Sequence, residues 1–255
     1  MKVSGIIVLV VAALSCTGCG GAGGPNAYHG YDLGPANDAV AKSIEWMGGY
    51  EKVKDVSILQ TTALVTEYNA DSRTFASRQQ YKVNFSRDYI YARTPTGEGY
   101  WNAWVWNSRK GWVFAHGFDM DAAAKQKIKR TLAMIFYCIR GPMNFLGHEQ
   151  AVSSTAVRQS GMDLVRVGVK GSGSGAEAYY FDRTTGQLRF VTFGADCPGA
   201  AGTVAIYRYQ KLPDGLMVPV RIELMEIGQN VLIGQKRVLD VEFSDITVRT
   251  GWTFP

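Results

Sequence analysis

Residues 176–190, AEAYYFDRTTGQLRF, open the stretch from Ala176 to Glu226 on which the reading of the fold turns. Two aromatic runs, Tyr179–Phe181 and Leu188–Phe193, flank Asp182-Arg183-Thr184-Thr185-Gly186. Asp and Thr side chains cap such a turn, and Gly186 supplies the positive φ that closes a bulged hairpin. Thr203–Gln210 (TVAIYRYQ) follows, then Leu212-Pro213-Asp214-Gly215 and Met217–Ile227 (MVPVRIELMEI). Pro213 presets φ and Gly215 takes φ > 0, which predicts a second hairpin. Lys236–Asp245 (KRVLDVEFSD) is the last strand of this antiparallel meander, and everything upstream must cover one of its faces.

Upstream, four more strands are predicted at Val56–Tyr68, Arg73–Phe85, Asp88–Arg93 and Tyr100–Asn107. In the second, Phe75, Tyr81, Val83 and Phe85 share one face, while Arg78, Gln80, Lys82 and Asn84 share the other. That alternation gives a sheet with one wet side and one dry side. The segment YWNAWVWNSRKGWVF then concentrates Trp101, Trp104, Trp106 and Trp112, with a hairpin turn at 107–111. Tryptophans at such sites fill a core, line an apolar pocket or stack on sugars. Ala151–Gln159 and Met162–Lys170 complete the strands, and Gly171–Gly175 is a loop whose glycines lack phosphate-binding spacing.

Two helices interrupt the strands. Pro35 opens the first, whose Val40, Ile44 and Met47 form one apolar stripe ending at Gly48-Gly49. Asp119 or Asp121 caps the second, which runs to Arg140 and stops at Gly141-Pro142. Its first half is basic (Lys125, Lys127, Lys129, Arg130), whereas 134–139 is apolar on every side. Such a helix is suited to plugging an open barrel; its basic half is a solvated face or a contact for anionic headgroups.

At the N-terminus, MKVSGIIVLVVAALS has one positive charge and an apolar run too short to span a bilayer. Cys16 and Cys19 each follow a small residue, as in a bacterial lipobox, and the reading leaves open which thiol is acylated. The expected organisation is a signal over residues 1–18 with cleavage before Cys16 or Cys19, a Gly-rich tether over 19–34, and one domain over 35–255. His29 reads as a solvated residue of that tether. A net charge of +5, scattered along the chain without a basic motif, argues against nucleic acid as partner. The three histidines (His29, His116, His148) are far apart, so no metal or cofactor is expected, and no Ser/His/Asp signature points to an enzyme. An oxidising compartment permits a Cys138–Cys197 bridge, while a thiol in the apolar end of a helix also behaves as a small hydrophobe.

Tyr180-x-Asp182 with Thr185-Gly186, Tyr207-x-Tyr209, Asp214-Gly215-Leu216-x-Val218-Pro219, Leu239-Asp240-Val241-x-Phe243 and the terminal Phe254-Pro255 occur in an order that resembles the outer-membrane lipoprotein-sorting (LolA/LolB-like) family. The resemblance reaches back to Ala39–Tyr100, and Ser244 departs from it where Asn is frequent. What it implies is a mostly β, α+β fold: a strongly curved, incompletely closed antiparallel barrel of about eleven strands with an N-terminal helix and a lid helix. It also implies an envelope protein, facing the periplasm and held by its lipid at the outer membrane, that binds lipid or an acylated protein. Being anchored, it is more similar to the receptor than to the carrier. The expected lining is Phe75, Tyr81, Phe85, Tyr91, Trp104, Trp106, Phe114, Leu132 and Phe136. A same-fold module that senses lipid or a protein, and a glycan-binding module using the Trp segment, are the alternatives.

Overall fold

The computed structural model describes residues 27–68, 74–97, 100–108, 110, 113–116, 121–147, 149–170, 175–194, 200, 202–227 and 236–251. A small hairpin, β1 (Ala27–Tyr28) and β2 (Tyr31–Asp32), precedes α1 (Asn37–Trp46) and α2 (Tyr50–Asp55). Then come β3 (Val56–Tyr68), β4 (Thr74–Asn84), β5 (Tyr89–Gly97), β6 (Tyr100–Asn107) and β7 (Val113–His116). The helix α3 (Ala122–Arg140) separates these from β8 (Gln150–Gln159), β9 (Met162–Lys170), β10 (Ala176–Asp182), β11 (Leu188–Phe193), β12 (Thr203–Lys211), β13 (Met217–Glu226) and β14 (Arg237–Thr250).

The strands β3 to β14 form one 12-stranded antiparallel sheet in the order β7-β6-β5-β4-β3-β14-β13-β12-β11-β10-β9-β8. The sheet is curved and does not close: β7 and β8 are its edges among the described residues. The two halves of the chain are joined where the long β3 meets β14, with Val65 opposite Val241 and Ala63 opposite Phe243. Alternation decides which side is dry. Ile222, Leu224, Leu239 and Val241 are buried on the face that receives the helices, while Arg221 bonds Asp240 on the other.

Both hairpin turns close as their residues demand. The amides of Thr184 and Thr185 donate to Asp182 Oδ1 (3.0 and 2.8 Å), and Gly186 adopts φ +81. At the second turn the Gly215 amide donates to the Leu212 carbonyl (2.9 Å), with Gly215 at φ +91. The N-terminal helices hold these turns: Lys42 Nζ donates to the Arg183 carbonyl and Lys52 Nζ to that of Asp214 (2.8 and 2.6 Å). Val40, Ile44 and Met47 are buried beneath them, as the stripe predicts.

Three details differ from the sequence reading. Within the expected tether, residues 27–34 fold onto α1 and α2. Leu33 is buried, the Tyr28 hydroxyl donates to Glu45 (2.6 Å), and the exposed His29 ring stacks on Tyr50 at 3.9 Å. The short helix α2 follows the two glycines directly, with the Val53 amide donating to the Gly49 carbonyl. The last strand runs on to Thr250 because a bulge, with Asp245 at φ +53, absorbs the irregularity next to Ser244.

Candidate functional site

The face covered by α3 has two regimes, and the helix sequence explains both. Asp121 caps it, its Oδ1 accepting from the Ala124 amide at 2.7 Å. From Leu132 onward the helix is core. Met134 to Ile139 are buried on all sides, and the Phe136 ring meets Trp106 at 5.2 Å and Tyr137 at 5.4 Å, both edge-on. Its end is fastened by polar contacts. Arg140 Nη1 donates to Asp88 Oδ1 (3.0 Å) and to the Phe85 carbonyl (3.4 Å), and both side chains are almost fully buried. Burial pulls the Arg140 pKa down, opposed by the Asp88 carboxylate. Asn144 Nδ2 donates to the Tyr137 carbonyl and to the Tyr179 hydroxyl (3.0 and 3.1 Å). Burial, helped by Glu149, pushes the Tyr137 hydroxyl up to about 12.

The first half of α3 stands off the sheet. Beneath it lies a cleft of about 540 Å³. Met134, Leu224, Val238 and Leu239 give it an apolar floor; Lys127, Arg130, Glu67 and Tyr68 ring its mouth. Lys127 Nζ bridges the mouth to Glu67 Oε2 at 2.5 Å, a contact between exposed side chains. A pocket with an apolar floor and charged rim can bury a hydrocarbon chain and leave a polar head in water. Among the described residues no group of three or more His, Cys, Asp or Glu side chains comes together as metal ligands.

The residues expected to line a cavity fall into several places. Tyr81, Trp106, Leu132 and Phe136 belong to the packed core, and Trp104 is half-buried beside them. Phe85 is half-buried at the far end of α3, where it borders a second cleft of about 310 Å³ together with Arg140. Phe75 is 69% exposed. Tyr91 lies on the opposite face: it pairs with Lys82 and shares a groove of about 280 Å³ with Gln60, Arg93 and Asp245. Ile90 and Ala92 take the dry side of β5 instead, so the aliphatic residues, not the aromatic ones, mark its inner row. Phe114, on β7, pairs with Val105 of β6, and its side chain lies outside the described residues. None of the described side chains in that set borders the wide cleft.

The Trp segment is split in the same way. Trp104 and Trp106 point inward, whereas Arg93 stacks over Trp101 on the outer side. The strand residues of the cleft floor were visible only as members of alternating strands: Leu224 within MVPVRIELMEI and Leu239 within the Leu-Asp-Val-x-Phe motif. Cys16, Cys19 and Cys197 lie outside the described residues; Cys138 is buried in α3.

No sequence family matches the chain, and no curated protein does. Solved structures similar to it include a LolA superfamily protein of Nitrosomonas europaea, 12% identical over 87% of this chain and 96% of its own, with a TM-score of 0.48. A DUF1329 family protein of Desulfovibrio piger is 9% identical over 86% and 95%, TM-score 0.43. A domain named for outer membrane lipoprotein sorting, from Vibrio parahaemolyticus, is 13% identical over 86% and 95%, TM-score 0.41. The fold itself stands on the strand order and register given above.

Proposed function

We propose that this chain is a lipid-anchored envelope protein that holds the acyl chain of a lipid or of an acylated protein in the cleft beneath the first half of α3. The observation that carries this reading is the division of α3. One half is locked into the core; the other spans a roomy, apolar-floored cleft whose mouth is bridged by a single exposed ion pair among the described residues. Burying hydrocarbon there yields about 0.8 kcal/mol per CH₂ without disturbing the packed half. The role is one of binding and transfer rather than catalysis, and the LolA-like resemblance supports it. The anchor is Cys16 or Cys19, and the outer membrane is the destination by the same resemblance.

Native purification followed by mass spectrometry of co-purifying lipid tests the reading, with Ala123→Trp as the control. Ala123 is exposed and borders the cleft, so an indole there fills the space and leaves the core untouched. The wild type is expected to carry acyl lipid or acylated protein and the variant to lose it. An empty wild-type protein, or equal loading of the two, refutes the proposal.

A further inference from the structure

The first half of α3 carries Lys125, Lys127, Lys129 and Arg130, and the helix from Ala122 to Arg140 contains no acidic residue to balance them. Lys127 and Arg130 border the mouth of the cleft; Lys125 and Lys129, one turn apart, do not border it and add a second basic row. Next to the mouth, one strand out from Glu67 and not itself bordering the cleft, stands Phe75, at 69% the most exposed of the large apolar side chains described. Its place is fixed by two contacts: Phe75 lies opposite Glu67 in the β3–β4 register, and Glu67 accepts from Lys127. Cations of one sign and a bare aromatic ring therefore meet where the cleft opens.

We propose that this rim is a docking face for an anionic bilayer. The phosphates of the headgroup layer match the cations, and the Phe75 ring enters the boundary between headgroups and acyl chains. An anionic bilayer meets both features at once, with phosphates for the cations and an apolar layer at the depth of the ring. Docking has a consequence for the mouth. The Lys127–Glu67 pair is held between exposed side chains, so lipid phosphates compete with Glu67 for Lys127 and release the bridge. That consequence rests on the reading of the cleft as the acyl site; the docking face does not.

The test uses the full, anchored chain reconstituted into vesicles of phosphatidylcholine, or of an equimolar mixture with phosphatidylglycerol. An environment-sensitive dansyl side chain replaces Phe75, so the signal reports the rim and not the anchor. The emission is expected to shift to the blue in the anionic vesicles alone and to return toward the aqueous value in high salt. Lys125→Glu together with Lys129→Glu is expected to abolish the shift while acyl-probe uptake in solution stays unchanged. Equal emission in the two vesicle types overturns the proposal, as does a shift that survives the double variant. Absence of acyl-probe uptake by the wild-type protein, with the anionic shift intact, would instead count against the acyl cleft.

Discussion

Truncating Phe136 and truncating Phe75 separate a locked plug from an exposed rim. Phe136 is fully buried, edge-on to Trp106 at 5.2 Å, with the Arg140 guanidinium 5.4 Å over its ring. Phe136→Ala removes the transfer free energy of the ring and leaves a cavity, for a total cost of about 3–5 kcal/mol. In a domain of this size each kcal/mol moves Tm by roughly 2–4 °C, so Tm should fall by roughly 6–20 °C. Phe75 is 69% exposed, and Phe75→Ala should stay within about 0.5 kcal/mol of wild type. Urea unfolding followed by tryptophan fluorescence measures both. A cost below about 1 kcal/mol at Phe136 would mean that the second half of α3 is a loose cover, contrary to the core seen here.

Arg140→Met leaves the buried Asp88 carboxylate without its guanidinium and should destabilise by about 3–5 kcal/mol, while adding Asp88→Asn should restore part of the loss in the same urea assay. Gly186→Ala should cost more than about 1 kcal/mol, because φ is +81 and a Cβ would sit 2.7 Å from the Lys42 carbonyl oxygen. Asp182 predicts a pH dependence. Burial raises its pKa, but hydrogen bonds from Thr185 and Arg189 outweigh that and leave it below its ordinary value. Its stabilisation is therefore present above the unfolded carboxyl pKa, about 3.9, and is lost as pH falls through the lower folded value. Asp182→Asn should flatten that part of an acid stability profile.

The parts of the fold that were legible in the sequence are those written locally. The Asp182–Gly186 and Leu212–Gly215 turns state their own geometry, and Asp121 and Gly141-Pro142 bracket α3. The alternation of β4 places Tyr81 and Val83 inside. What depended on distant partners was less legible. Phe75 lies on the dry row of β4, yet it falls beyond the end of the core, and no local pattern reports where a core ends. Tyr91 is expected in the lining, but β5 follows a turn with Asp88 at φ +53, and its register with β4 puts Ile90 and Ala92 inside and Tyr91 outside. Residues 27–34 look like tether by composition; only the Tyr50 ring and Glu45, supplied by α1 and α2, give them something to fold on. The cleft is a gap between the first half of α3 and the distant strands β3, β13 and β14, so no stretch of sequence contains it.

The most direct measurement is the affinity of purified protein for a series of fluorescent acyl probes differing only in chain length, against the wild type and Ala123→Trp. Affinity should climb roughly fourfold per added CH₂, the equivalent of about 0.8 kcal/mol, until the cleft of about 540 Å³ is filled. The climb should disappear in the variant. A response flat with chain length, or an undiminished climb in Ala123→Trp, would contradict acyl binding in the cleft.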